Sequence, residues 1–103
     1  MIELIRRHQK ELNDLCAKYH VKHLEVFGSA ANGVEFDDKK SDLDFCVDFL
    51  PLQPGDHADH YFGLHEALEE LFGCPIDLVM VRAIKNPYFL EAINKTREML
   101  YAA

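Results

Sequence analysis

The sequence predicts a small α/β (α+β) fold in which helices pack on one small mixed sheet. Three observations predict it. Residues 42–49 alternate strictly, with Leu43, Phe45, Val47 and Phe49 between Asp42, Asp44, Cys46 and Asp48, a period of two that gives a strand one apolar and one acidic face. Segments of helical period flank it, and turn residues separate the segments in the order α-β-α-β-α-β-α with a final short strand.

From Ile2 to Tyr19 the apolar residues Ile2, Ile5, Leu12, Leu15, Cys16 and Tyr19 recur at helical spacing among charges, which predicts one amphipathic helix. Val21 to Phe27 reads as a short strand ended by Gly28-Ser29. A small turn or helix follows through Ala30, Ala31 and Asn32 to Gly33, and Asp37 to Ser41 reads as a loop. The alternating strand is broken by Pro51, Pro54 and Gly55. A helix from about His57 to Phe72 is expected to bury Phe62, Leu64, Leu68, Leu71 and Phe72 and to stop at Gly73. Pro75 to Val81 is strand-like and apolar apart from Asp77. Asn86-Pro87 reads as an N-cap followed by proline at the first helical position. That helix runs to about Lys95, and a last strand lies around Met99 to Tyr101.

A chain of 103 residues with 49% hydrophobic and 28% charged residues reads as one domain, residues 1–103, soluble and ordered. Its margin of stability is small, so association with itself or another protein would help it. Eleven Lys and Arg stand against 18 Asp and Glu, a formal net of −7. No basic stripe is visible, so direct binding of nucleic acid is disfavoured, and a basic partner surface suits the chain better. The cysteines Cys16, Cys46 and Cys74 are odd in number with no C-x-x-C spacing, which points to reduced thiols and a cytoplasmic protein. Neither a signal peptide nor a membrane-spanning stretch is expected.

Three features carry chemistry. Gly28-Ser29 ends a strand, where backbone N–H groups are exposed and glycine lets a phosphate approach the main chain. Asp42 and Asp44, two apart on a strand, project from one face at roughly 6 to 7 Å along the backbone, a separation from which carboxylates can bridge paired Mg²⁺ ions. Alone, such a pair also fits a solvated acidic face. Asp77 is a lone acid in Pro-Ile-Asp-Leu-Val-Met-Val; it has to be paired, metal-bound or open to water, because burying it bare is costly.

Their order, Phe-Gly-Ser, then Ser-Asp-Leu-Asp-Phe, then Ile-Asp-Leu-Val, resembles the nucleotidyltransferase fold of the DNA polymerase beta superfamily. The twelve residues between Ser29 and Asp42 are slightly more than usual, as if Glu35 to Lys40 carried an insertion. The tail Asn-Pro-Tyr-Phe-Leu-Glu-Ala-Ile, with Leu-Tyr after it, is similar to the minimal nucleotidyltransferases, and the resemblance spans about Val21 to Tyr101. It implies that Gly28 and Ser29 hold the β- and γ-phosphates of a nucleoside triphosphate, ATP. It implies that Asp42 and Asp44 ligate two Mg²⁺ ions, and that Asp77 completes the site and helps deprotonate the attacking hydroxyl. Relatives of this size accompany a helical HEPN-type toxin in toxin–antitoxin pairs, and some attach AMP to a tyrosine of that toxin and silence its ribonuclease. The implied activity is therefore that of a protein adenylyltransferase acting as an antitoxin. One departure matters: many relatives have Arg after Gly-Ser, whereas Ala30, Ala31 and Asn32 stand here, leaving Lys39, Lys40 or Arg82 as substitute cations.

Three rival readings follow. The same fold could act as a catalytically silent antitoxin that neutralises its partner by binding alone, which the missing Arg residues favour. His57, His60 and His65 could form a transition-metal site, but His65 falls elsewhere on the helix and no cysteine is near, so surface histidines are the simpler reading. A calcium loop starting at Asp42 fails, with Cys46 and Val47 at its fifth and sixth positions. Phe62, Phe72, Tyr88 and Phe89 read as core or partner contacts rather than a base-stacking platform. Cys46 reads as a packing residue rather than a nucleophile.

Overall fold

The computed structural model describes residues 3–28 and 43–103. The helices are α1 (Glu3–Arg7), α2 (Gln9–Lys18), α3 (Asp56–Phe72) and α4 (Pro87–Thr96), and the strands are β1 (Val21–Phe27), β2 (Leu43–Phe49), β3 (Ile76–Met80) and β4 (Glu98–Ala102). A 3₁₀ turn at Val81–Ala83 follows β3. The four strands form one mixed sheet in the order β3-β2-β1-β4. The pairs β1·β2 and β1·β4 are antiparallel, and β2·β3 is parallel, with α3 as the crossover.

The alternation in β2 decides which face is core. Leu43, Phe45, Val47 and Phe49 are all at most 2% exposed and meet Leu24 and Val26 of β1, Ile76 and Leu78 of β3, and Leu100 of β4. Ile5, Leu12 and Cys16 from α1 and α2, and Leu64, Leu68 and Phe72 from α3, close this layer from above. The stacked rings of Phe45 and Phe72, 5.9 Å between centroids, join sheet to helix. On the opposite face a smaller cluster of Phe27, Cys46 and Ile93 lies under α4. Asp44 and Asp77 belong to this same face, the first half-buried and the second exposed.

Several expectations hold and three are corrected. The strand at the C-terminus is present, and Asn86 caps α4 with its side-chain oxygen accepting from the N–H groups of Tyr88 and Phe89 at 2.9 and 3.4 Å. Gly73 ends α3 in the left-handed conformation, φ 66°, with its N–H donating to the Glu69 carbonyl. The first helix, by contrast, is two helices. The break falls at His8, whose N–H bonds the Ile5 carbonyl three residues back, which tightens the turn away from α-helical spacing, and whose ring Nδ1 lies 2.8 Å from the Leu4 carbonyl oxygen. Phe62 is 64% exposed rather than buried. Its neighbour Tyr61 turns inward instead, because its hydroxyl can donate to the Leu78 carbonyl. Val81, expected at the end of β3, opens the 3₁₀ turn. The turn expected at Ala30 to Gly33, the loop from Asp37 to Ser41, and Asp42 at the head of its strand lie outside the described residues.

Strand β3 is an edge strand, and α3 caps it. The outward carbonyls of Ile76 and Leu78 meet the His65 ring nitrogen Nε2 (2.8 Å) and the Tyr61 hydroxyl. Such capping gives hydrogen-bond partners to edge carbonyls that would otherwise invite another strand. Among the described residues, no helix is long and apolar enough to cross a membrane.

Candidate active site

Asp44 and Asp77 lie directly opposite one another in the parallel β2·β3 ladder. Residues in register on neighbouring strands point to the same face and sit about 4.8 Å apart at the backbone. That face is the one away from the main core, since Leu43 and Phe45, and Ile76 and Leu78, point the other way. Asp44 is half-buried, whereas Asp77 is exposed. The lone acid of an apolar strand is thus open to water, which avoids the cost of burying a bare carboxylate.

The glycine corner adjoins this pair. Phe27 is the β1 partner of Asp44, so the next residue, Gly28, leaves the strand beside the carboxylate. Gly28 has φ +72°, and a Cβ built on it would lie 2.9 Å from Asp44 Oδ2. Glycine is required there both for the left-handed backbone and for the space. One detail differs from expectation: the Gly28 N–H is not open for a phosphate, because it donates to Thr96 Oγ1 at 2.9 Å. Gly28, Asp44 and Asp77 thus form one continuous corner across β1, β2 and β3. Ser29 and Asp42 lie outside the described residues.

Charged side chains on the same face have local partners. Glu25, only 8% exposed, is paired with Arg97 at 3.0 Å. Arg82, a candidate substitute cation, is engaged with Asp48 at 2.9 Å; Lys39 and Lys40 are outside the described residues. Burial, and secondarily the Glu25 charge, push the Cys46 thiol up to about 11, with Arg97 pulling the other way. At neutral pH this thiol is protonated and a poor nucleophile. Burial and then the Asp77 charge raise the Tyr61 phenol, which places Tyr61 within electrostatic reach of the acid.

His60 and His65 have local partners. His60 bridges the Asp56 carbonyl oxygen (2.8 Å) and the His20 ring (3.1 Å), and His65 lies 3.1 Å from Glu69 as well as on the edge of β3. Among the described residues no three His, Cys, Asp or Glu side chains gather to hold a metal ion, so His57, His60 and His65 do not form one site. Thr96, Arg97 and Glu25 were not singled out from the sequence. Their signal is the strand register, which becomes readable only once β4 is known to pair with β1.

A mixed four-stranded sheet with these helices is the fold of minimal nucleotidyltransferases. A solved structure described as a "putative minimal nucleotidyltransferase" superposes with a TM-score of 0.73 at 29% identity, covering 94% of this chain and 95% of that one. The chain belongs to the nucleotidyltransferase family described as "Polymerase beta, Nucleotidyltransferase", which it matches over residues 10–103. It is 37% identical over 93 residues to the "Putative protein adenylyltransferase MJ0128" of Methanocaldococcus jannaschii, covering 90% of this chain and 87% of that protein. Its fold also matches, with a TM-score of 0.65 at 14% identity, a chain of the complex between a tri-AMPylated Shewanella oneidensis HEPN toxin and its MNT antitoxin, over 95% of this chain and 72% of that one.

Proposed function

We propose that this chain is an antitoxin that transfers AMP from ATP to a tyrosine of a partner HEPN-type toxin. The observation that carries the proposal is the in-register pair Asp44 and Asp77 beside Gly28, in a chain of this family. The names of the M. jannaschii relative and of the Shewanella complex support the choice of AMP and of a protein acceptor. The formal net charge of −7 is consistent with a protein rather than a nucleic-acid acceptor.

In this reading Asp44 and Asp77, joined by Asp42, would hold two Mg²⁺ ions. Carboxylate oxygens are the ligands Mg²⁺ prefers, with substrate phosphates supplying the remainder. The ions, when bound, would neutralise charge on the triphosphate and its departing pyrophosphate. The chain itself supplies position. Ser29 holds the β- and γ-phosphates where Gly28, lacking a side chain, gives them room, and the carboxylate row would set the ions that draw the α-phosphate toward the acceptor. The tyrosyl oxygen forms a bond to the α-phosphorus while the bond from that phosphorus to the bridging oxygen breaks. Pyrophosphate leaves, and the phenolic proton passes to the Asp77 carboxylate.

A second reading, inhibition by contact alone, draws on Arg82 being engaged with Asp48 and on Ala30, Ala31 and Asn32 after the Gly-Ser pair. One experiment separates them: the chain, its HEPN-type partner, Mg²⁺ and ATP labelled at the α-phosphate. Label on the partner that disappears with Asp44→Asn or Asp77→Asn supports transfer. Silencing of the partner without label establishes contact inhibition instead.

A further inference from the structure

We infer that Thr96 is a positioning residue for the nucleotide corner, holding the end of β1 so that Gly28 turns out beside Asp44. The inference rests on the nucleotidyl-transfer reading of this site and adds to it a residue outside the acid-and-glycine set.

The argument begins with register. Strands β1 and β4 are antiparallel with Val26 opposite Glu98. Continuing that ladder two residues, forward along β1 and backward along the other segment, sets Gly28 opposite Thr96. Only Arg97 separates the end of α4 from the start of β4, so Thr96 is the last helical residue and is held from both sides. At this point no backbone ladder continues. Thr96 Oγ1 accepts the Gly28 N–H at 2.9 Å in place of a backbone carbonyl.

The same stretch of α4 and its exit grip β1 twice more. Arg97 pairs with the buried Glu25, and Ile93 and Phe89 cover Phe27, the latter ring edge-on at 6.4 Å. The last residues of β1 are thus fixed by an ion pair, an apolar contact and a hydrogen bond in sequence. The hydrogen bond falls on the one residue with φ +72° and with an acid oxygen in its Cβ space. Two consequences follow. The Gly28 N–H is consumed by the fold, so it is not a phosphate donor at this corner. And the conformation of Gly28 itself is held by Thr96, since an unpinned glycine has many backbone conformations open to it.

The test compares Thr96→Val, which keeps the shape and removes the acceptor, with Thr96→Ser, which keeps the hydroxyl. Three quantities are measured: the Kd for the non-hydrolysable analogue AMP-PNP with Mg²⁺, the KM for ATP against the KM for the acceptor protein, and the exchange rate of the Gly28 amide by NMR. Thr96→Val is expected to weaken AMP-PNP binding and raise the KM for ATP by about fivefold, the scale of one lost hydrogen bond. The acceptor KM should stay fixed, Gly28 exchange should accelerate, and Thr96→Ser should restore all of these. Thr96→Val with wild-type nucleotide affinity, or acceptor and ATP constants moving together, overturns the inference. A wild-type chain that binds AMP-PNP but labels no acceptor refutes the transfer reading while leaving the Thr96 comparison readable in binding and exchange. A wild-type chain that binds no nucleotide overturns both.

Discussion

A Cβ at position 28 would sit 2.9 Å from Oδ2 of Asp44, closer than side-chain carbons approach oxygen in folded proteins. Gly28 is at φ +72°, where an L-residue with a side chain costs about 1–2 kcal/mol. Gly28→Ala is therefore expected to lower stability by about 1–2 kcal/mol and to push the Asp44 carboxylate off its place. Urea denaturation measures the first effect, and nucleotide transfer should fall much further than the stability loss explains. Full activity in a folded Gly28→Ala protein would mean that the Asp44 carboxylate need not stay beside the corner.

Asp44 and Asp77 share a register position, so a cation bound between them ties two neighbouring strands together. Binding to the native state alone stabilises it, by about 2.7 kcal/mol at a hundredfold excess over Kd. Mg²⁺ with AMP-PNP should raise the melting temperature of the wild-type chain. Asp77→Asn should fold, lose most of that rise, and reduce transfer by about 100-fold or more. An unchanged ligand-induced shift in Asp77→Asn would remove this acid from the ion-holding set.

How much of this was legible in the sequence depends on which force decides each element. The β2 alternation was legible because burial of one strand face is a period-two signal, and Phe45 and Phe49 are indeed among the least exposed residues. The cap at Asn86 was legible because it is local chemistry, one side chain satisfying nearby N–H groups. The split of the first helix at His8 was not, since the residues around it all tolerate helix and the break depends on how α1 meets the core. Nor was the outward turn of Phe62: two adjacent aromatics on α3 compete for the interior, and the edge carbonyl of Leu78 selects Tyr61. The acids and glycine of the site stood out as residue types at strand ends, whereas Thr96 and Arg97 gain their roles only from β4 pairing with β1.

Burial raises two thiols from the ordinary 9.0, Cys46 to about 11 and Cys16 to about 12. The consequence for stability runs in one direction. Below pH 9 both thiols are protonated in folded and unfolded chains alike, and pH has no leverage through them. Above pH 9 the unfolded chain releases these protons while the native chain retains them, so unfolding gains and stability falls as pH rises toward 11 and 12. The slope is on the order of 1 kcal/mol per pH unit for each thiol. Urea midpoints measured between pH 8.5 and 10 should fall for the wild type and fall less for Cys16→Ala/Cys46→Ala. At pH 8 a thiol reagent should modify the partly exposed Cys74 first; early reaction of Cys46 would contradict the packing assigned to it under α4.

The ring of Tyr19, the residue that follows α2, packs against the backbone of Gly63 in α3. A Cβ at position 63 would come within 2.6 Å of Tyr19 Cε1 and 3.3 Å of its Cζ, so one of the two has to move. Two effects oppose each other in Gly63→Ala. Alanine in a helix interior is favoured over glycine by about 1 kcal/mol, while overpacking against a ring costs about 1–3 kcal/mol. The ring is partly buried and packed on the core, so the clash should win, and Gly63→Ala should destabilise the chain by about 1 kcal/mol. Removing the obstacle should reverse the sign: in a Tyr19→Ala background the same Gly63→Ala change should stabilise by close to the full helix preference. A double-mutant cycle by chemical denaturation reads this as a coupling of about 1–3 kcal/mol. Additive effects of the two substitutions would show that α2 and α3 do not meet ring to backbone at this point.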